Sequence, residues 1–249
     1  MRMNRILIAS AALFAGAVSC LAQTAAPREV SFEQVRAAAR TTLRDSAEFP
    51  LRLEIVTIFR DKSGKIISQK KGGTDYNFHG FNPRSGQANF DLRGSRGTFA
   101  SAVNTFFAIS MLGSAVWQDA ETAYSIQIAD DAAQPALVSA RLTPPACDPF
   151  KWSEKHQSVE SYCGTSELHL RRQDLTLDHY IFEASGLPAP AVMKPFGNTT
   201  IQRVHVLYDF QSVTTPTDPK PYLLPQHMNT TIETNKGTLQ ISTIVSQRK

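Results

Sequence analysis

The chain has 249 residues, 42% of them hydrophobic, with 26 Lys and Arg against 22 Asp and Glu, a formal net charge of +4. Charges of both signs are interspersed with no basic stripe, which excludes phosphate-backbone recognition, and no nucleic-acid partner is expected. The chain is long enough to bury a core without metal or many covalent staples.

The N-terminus reads as an export signal. Arg2 and Arg5 form a short positive region, Ile6 to Val18 is uncharged and apolar, and Cys20-Leu21-Ala22 places small residues at the −3 and −1 positions of a cleavage site. The apolar run is shorter than the about 20 residues that span a bilayer. Residues 1–22 are therefore expected to be a cleaved signal peptide, residues 23–30 a linker and residues 31–249 a single β domain. The expected location is periplasmic or secreted. Cys20 raises the alternative of a lipoprotein signal, but Ala17-Val18-Ser19 fits that pattern poorly. Without residues 1–22 the charge balance falls to 24 against 22, because Arg2 and Arg5 are the charged residues of that stretch.

Ser31 to Asp45 predicts an amphipathic helix. Ser31 and Gln34 form a capping box, Val30 and Val35 a hydrophobic staple, and Phe32, Val35, Ala39 and Leu43 one apolar face. Alternating strands follow: Leu51 to Arg60, a turn at Asp61-Lys62-Ser63-Gly64, and a return strand from Lys65 to Gln69. Lys71-Gly72-Gly73 reads as a break, before further strands around Tyr76–Phe78 and Phe90–Leu92. Thr98 to Trp117 carries no charged residue. It predicts a central helix, apolar nearly all round and covered by the sheet, with a membrane-inserting element as the alternative. Strands resume at Thr122–Ala129 and Val138–Leu142. Beyond Cys163 they recur at Glu167–Arg171, His179–Glu183, Arg203–Phe210, Gln226–Glu233 and Thr238–Ser246. Gly186–Pro195 and Thr214–Pro221 read as Pro-rich loops, and Asn235-Lys236-Gly237 as the final turn. Leu239, Ile241, Thr243 and Val245 share a face.

About eleven strands and two helices define a mainly β fold: a large curled antiparallel sheet or half-barrel, with the N-terminal helix and the central apolar helix packed on it. Phe99, Val103, Phe106, Phe107 and Met111 would form the helix side of an apolar ligand cavity, or would fill it as solid core. Cys147 and Cys163, an even pair in an oxidising compartment, read as one disulfide contributing about 3 kcal/mol, with two unpaired thiols as the alternative. Between them Phe150, Trp152 and Tyr162 could anchor a partner protein.

Catalytic signatures are missing from the sequence. The six histidines show no H-x-x-x-H or H-E-x-x-H spacing, so no metal site is expected, and His169 and His205 read as exposed residues on polar strand faces. There is no G-x-S-x-G elbow, P-loop or dinucleotide fingerprint, and no cofactor is expected. Asp174 and Asp178 could serve as paired carboxylates but read as surface residues. Asn198-Thr199-Thr200 and Asn229-Thr230-Thr231 fit the glycosylation sequon, relevant only in a eukaryotic source.

The order of N-terminal helix, strand meander, apolar segment and further strands, closed by Tyr222-Leu223-Leu224-Pro225 and a hairpin ending at Ile244, resembles the LolA/LolB-like family of periplasmic lipoprotein carriers. The resemblance is one of architecture and covers most of residues 28–246. It implies an incomplete barrel, lined with apolar side chains and lidded by helices, that takes acyl chains. The 147–163 excursion has no counterpart in that pattern. The expected function is thus an envelope protein, monomeric, that binds an apolar ligand such as a lipid or lipoprotein acyl chain. A non-enzymatic interaction module for another envelope protein is the first alternative, and a hydrolase whose residues meet only in three dimensions is the second.

Overall fold

The computed structural model describes residues 30–42, 49–81, 88–92, 125–131, 133–144, 151–153, 158–161, 164–193, 195–215 and 218–247. Among them are one helix, α1 (Phe32–Thr42), and twelve strands. The strands are β1 (Phe49–Asp61), β2 (Ile66–Phe81), β3 (Ala88–Leu92), β4 (Ser125–Asp130), β5 (Leu137–Thr143), β6 (Lys151–Ser153), β7 (Ser158–Ser161), β8 (Thr165–Arg171), β9 (Leu177–Met193), β10 (Gly197–Thr215), β11 (Asp218–Thr234) and β12 (Gly237–Gln247).

Helix α1 starts where its sequence dictates. The Ser31 amide donates to Gln34 Oε1 at 2.9 Å, and the Gln34 amide donates to Ser31 Oγ at 3.3 Å, so each end of the capping box satisfies an otherwise orphaned donor. Phe32, Val35 and Ala39 are buried, and Val30 packs against the same core from outside the helix. Leu43, the fourth expected member of that face, lies outside the described residues.

Ten strands form one antiparallel sheet in the order β3-β2-β1-β12-β11-β10-β9-β8-β5-β4, and it does not close on itself. Strands β6 and β7 pair separately. Strand neighbours in space are mostly neighbours in sequence; β12 returning beside β1 is the long-range closure that joins the N-terminal hairpin to the C-terminal strands. A sheet of this width does not stay flat, because the twist of each strand coils the whole.

Alternation sets the two faces. In β12 the buried positions are Gly237, Leu239, Ile241, Thr243 and Val245. In β1 they are Leu51, Leu53, Ile55 and Phe59. Buried residues from α1, β1, β5 and β8–β12 join in one contiguous cluster. The Asp61 turn forms as expected: Asp61 Oδ1 accepts from the Ser63 and Lys65 amides and from Ser63 Oγ, and Gly64 takes the left-handed conformation (φ 84°).

Three expected breaks are instead largely strand among the described residues, and each has a physical reason. Residues 71–73 continue β2 without interruption, Gly72 opposite Ile55 and Gly73 opposite Glu54. Gly73 leaves room for the Arg52 guanidinium, which reaches Asp75 at 3.3 Å. The expected loop at 186–195 is largely β9, which runs to Met193 paired with β10. Strand β8 leaves β9 at Glu183, so Pro188 and Pro190 fall where β9 has β10 as its sole ladder partner among the described residues. Likewise β12 meets β11 only from His227 onward, so Pro219 and Pro221 of the second expected loop, and Pro225 beyond it, occupy the portion of β11 paired with β10 alone. Proline lacks the N–H that a two-sided ladder requires and is tolerated at an edge. The prolines therefore mark where long strands become edges.

The 147–163 excursion, expected as a loop, contains the short β6–β7 hairpin, with Trp152 opposite Val159. Cys147, Phe150, Tyr162 and Cys163 lie outside the described residues, as does the whole Thr98–Trp117 segment expected as the central helix.

Candidate apolar face and the opposing polar face

Strand register turns the sequence alternation into continuous rows. One row on the buried face runs Ile128, Ala140, Leu168, Tyr180, Tyr208, Met228, Thr243 and Ile55, from β4 across to β1, ending at Gly72 of β2. From Ala140 to Ile55 its members are buried, and Ile128 packs against them from the edge. The next row on that face carries Leu142, Ser166, Phe182, Val206, Thr230 and Ile241, buried except at the half-buried Thr230. No charged residue interrupts either row between β4 and β1.

The centre of this face is aromatic. Tyr180, Tyr208 and Tyr222 are fully buried. The Tyr180 and Tyr208 rings sit 5.9 Å apart at 34°, and the Tyr180 hydroxyl shares a hydrogen bond of 3.0 Å with Ser166 Oγ, which removes the cost of burying both groups. Tyr180 and Tyr208 fall on faces that the sequence alternation marks, whereas Tyr222 precedes the expected strand, and only register brings β9, β10 and β11 together. Helix α1 packs over β9 and β11. Its 11 residues extend about 16 Å, whereas ten strands span about 43 Å, so the helix covers part of the face only. Phe99, Val103, Phe106, Phe107 and Met111, the expected helix side of a cavity, lie outside the described residues.

The opposite face is polar and paired. Arg203 on β10 donates to Glu183 Oε2 at 2.8 Å on β9 and to Glu233 Oε1 at 3.4 Å on β11, with His205 Nδ1 3.6 Å from the same Glu183 oxygen. The hydrogen bond from Arg203 is the main reason that the Glu183 carboxyl sits below the usual carboxylate range; burial opposes the shift. A lowered carboxylate pKa stabilises the fold above the unfolded-state value, and that contribution disappears as pH falls through the native value. Glu183→Gln should lower the urea midpoint at pH 7 by an amount equivalent to less than about 1 kcal/mol, since the pair is screened by solvent, and by less at pH 3 as the carboxyl gains its proton. Urea titrations at the two pH values check this.

The two acids considered as a catalytic pair separate into structural roles. Asp174 Oδ1 accepts from the Thr176 amide within the β8–β9 turn. Asp178 accepts from Arg171 at 3.2 Å and from His179 Nδ1 at 3.0 Å. Burial resists ionisation of Asp178, and these two donors outweigh it, so its pKa lies below normal. His205 is partly exposed, as its polar-face position implies. His169 departs from expectation: it is 8% exposed, because its ring stacks on His179. Among the described residues there is no group of three His, Cys, Asp or Glu arranged to hold a metal ion. Nor is any described helix long and apolar enough to cross a membrane.

No protein-family model and no curated protein matches the sequence. Among solved structures, the fold is similar to a LolA superfamily protein from Nitrosomonas europaea, with 10% identity and a TM-score of 0.38 over 89% of this chain and 95% of that one. The Pseudomonas aeruginosa MucA/MucB complex gives 8% identity and a TM-score of 0.22 over 86% of this chain and 94% of the matched chain. A second structure of MucB, in complex with periplasmic MucA, gives 8% identity and a TM-score of 0.22 over 85% and 91%. Likenesses this distant carry no argument about ligand or partner, which must come from the chain's own geometry.

Proposed function

We propose that this chain is an exported envelope protein that carries an apolar ligand, such as the acyl chain of a lipid or lipoprotein, against the apolar face of its open sheet. The observation that supports the reading is the width of that face: uncharged register rows cross from β4 to β1, and the one described helix is too short to cover them. An apolar sheet face requires a second layer. In this reading the layer is the uncharged Thr98–Trp117 segment, with Phe99, Val103, Phe106, Phe107 and Met111 facing the ligand. Each methylene taken out of water contributes about 0.8 kcal/mol, so a chain of moderate length repays the cost of capture. Residues 1–22 direct export and are removed, residues 31–249 form the single carrying domain, and Cys147 and Cys163 close a disulfide around the β6–β7 hairpin.

The reading is tested by titrating the processed chain with a fluorescent fatty-acid probe and displacing the probe with unlabelled palmitate. Saturable binding near one probe per chain, weakened at least tenfold by Phe106→Glu with α1 and sheet signals retained in circular dichroism, is the expected result. Absence of saturable binding by the wild-type chain overturns it. The β6–β7 hairpin, separate from the main sheet and carrying Trp152, favours one other reading, a docking element for an envelope protein through Phe150, Trp152 and Tyr162. A chain that binds no probe yet loses a partner on Trp152→Ala would select it.

A further inference from the structure

We propose that the stacked pair His169–His179 is an acid-sensitive joint that holds the β5–β8–β9 corner of the sheet at neutral pH and loosens it on acidification. The two histidines are register partners on the polar face of adjacent strands, with ring centroids 4.1 Å apart and planes within 13°. Such stacking is favourable while at most one ring is charged. Two imidazolium rings face to face at this distance repel strongly, because the site is largely shielded from water: the side chains are 10% and 13% exposed.

The surroundings can compensate one proton and not two. On β8, Glu167 Oε2 lies 3.3 Å from His169 Nε2, and on β9, Asp178 Oδ2 lies 3.0 Å from His179 Nδ1. Each of these carboxylates is shared with a cation: Glu167 with Arg141 of β5 at 3.4 Å, Asp178 with Arg171 of β8 at 3.2 Å. Asp131, in the turn between β4 and β5, has Oδ2 3.8 Å from His169 Nδ1, while its Oδ1 is committed to the Ala133 and Gln134 amides. His169 Nδ1 is buried and makes no hydrogen bond among the described residues. Ser139 of β5 stands beside His169 in the same row, and Asp209 of β10 followed by His227 of β11 stand beyond His179. Burial first, and then the neighbouring His179, hold the His169 pKa below the ordinary imidazole value, against the opposing pull of Glu167 and Asp131.

A histidine that resists protonation in the native state but not in the unfolded state favours the native state at neutral pH, and this contribution falls away as pH drops below the unfolded value of about 6.5. The corner it would release is tied by few other links between turns. Arg172 in the β8–β9 turn pairs with Asp130, and its amide donates to the Ala136 carbonyl at 2.8 Å. Strand β4, which this corner anchors, is an edge strand with mostly exposed residues.

Hydrogen exchange of the wild-type chain at pH 7.5 and pH 5.0, corrected for intrinsic rates, tests the proposal. Protection of the Val138–Arg141 and Leu168–Leu170 amides should fall at least tenfold on acidification, while that of the β1–β12 ladder changes less than threefold. In His169→Gln/His179→Gln the selective loss should vanish. Equal changes across the sheet in the wild type, or a selective loss that persists in the double variant, would overturn the joint. Should the double variant fail to fold, titration of the wild-type imidazoles by NMR decides: two rings gaining protons together above pH 6.5 would contradict it. The outcome is independent of whether the apolar face binds a ligand.

Discussion

Tyr208→Ala is expected to destabilise the chain by about 4 kcal/mol, the largest single-residue effect that the sheet predicts. Tyr208 is fully buried at the middle of the longest apolar row, flanked in register by Tyr180 on β9 and Met228 on β11. Truncation removes the ring, its contact with Tyr180 and the apolar area that both neighbours share. The flanking strands are each held by two partners at this point and cannot collapse into the space, so the cavity term adds to the transfer term. Tyr208→Phe keeps the volume and should cost only about 1 kcal/mol through the hydroxyl. Urea denaturation with an unchanged slope measures both. A cost below about 1.5 kcal/mol for the alanine variant would mean that the row is not packed at its centre.

Gly237→Ala should cost about 3 kcal/mol, well above the usual range for a surface turn, because steric conflict with backbone cannot be relieved by a rotamer change. A Cβ there would sit 2.0 Å from the Arg60 carbonyl oxygen and 3.0 Å from Asp61 Cα, and the residue has φ 154°. Gly237 cannot retreat, since Thr234 Oγ1 accepts its amide at 3.1 Å and donates to its carbonyl at 2.8 Å, fixing the β11–β12 turn. It also lies opposite Asp61, at the end of the β1–β12 ladder that joins the N-terminal hairpin to the rest of the sheet. Gly64→Ala is the control: Gly64 has φ 84° but open space around it, so the cost is the left-handed backbone alone, about 1 kcal/mol. Equal urea midpoints for the two alanine variants would show that the close approach to Arg60 does not exist in solution.

These effects also mark what could be read from sequence. Local features were legible: the Ser31–Gln34 box, the Asp61 turn and the alternation of Leu239, Ile241, Thr243 and Val245 all depend on residues a few positions apart. Features decided by neighbouring strands were not. The prolines at 188, 190, 219 and 221 read as loops because nothing in their own segment reveals that β8 and β12 stop short and leave β9 and β11 with an edge. His169 read as exposed because its cover, His179, comes from the next strand. A signal did exist: the two lie at equal distances from the centre of the turn at Asp174, so a hairpin closed there places them face to face. The candidate site was half legible. The inward-facing residues of β8–β10 and β12 emerged from period-two patterning, whereas the tyrosine cluster required register across three strands. The expected helix side of the cavity falls outside the described residues.

Native mass spectrometry of the processed chain purified from its own host tests the carrier account most directly. The account predicts a population heavier than the polypeptide by the mass of one acyl-bearing molecule, released on denaturation and recovered in the organic phase. A single species at the polypeptide mass, both as purified and after incubation with total host lipid, would contradict it.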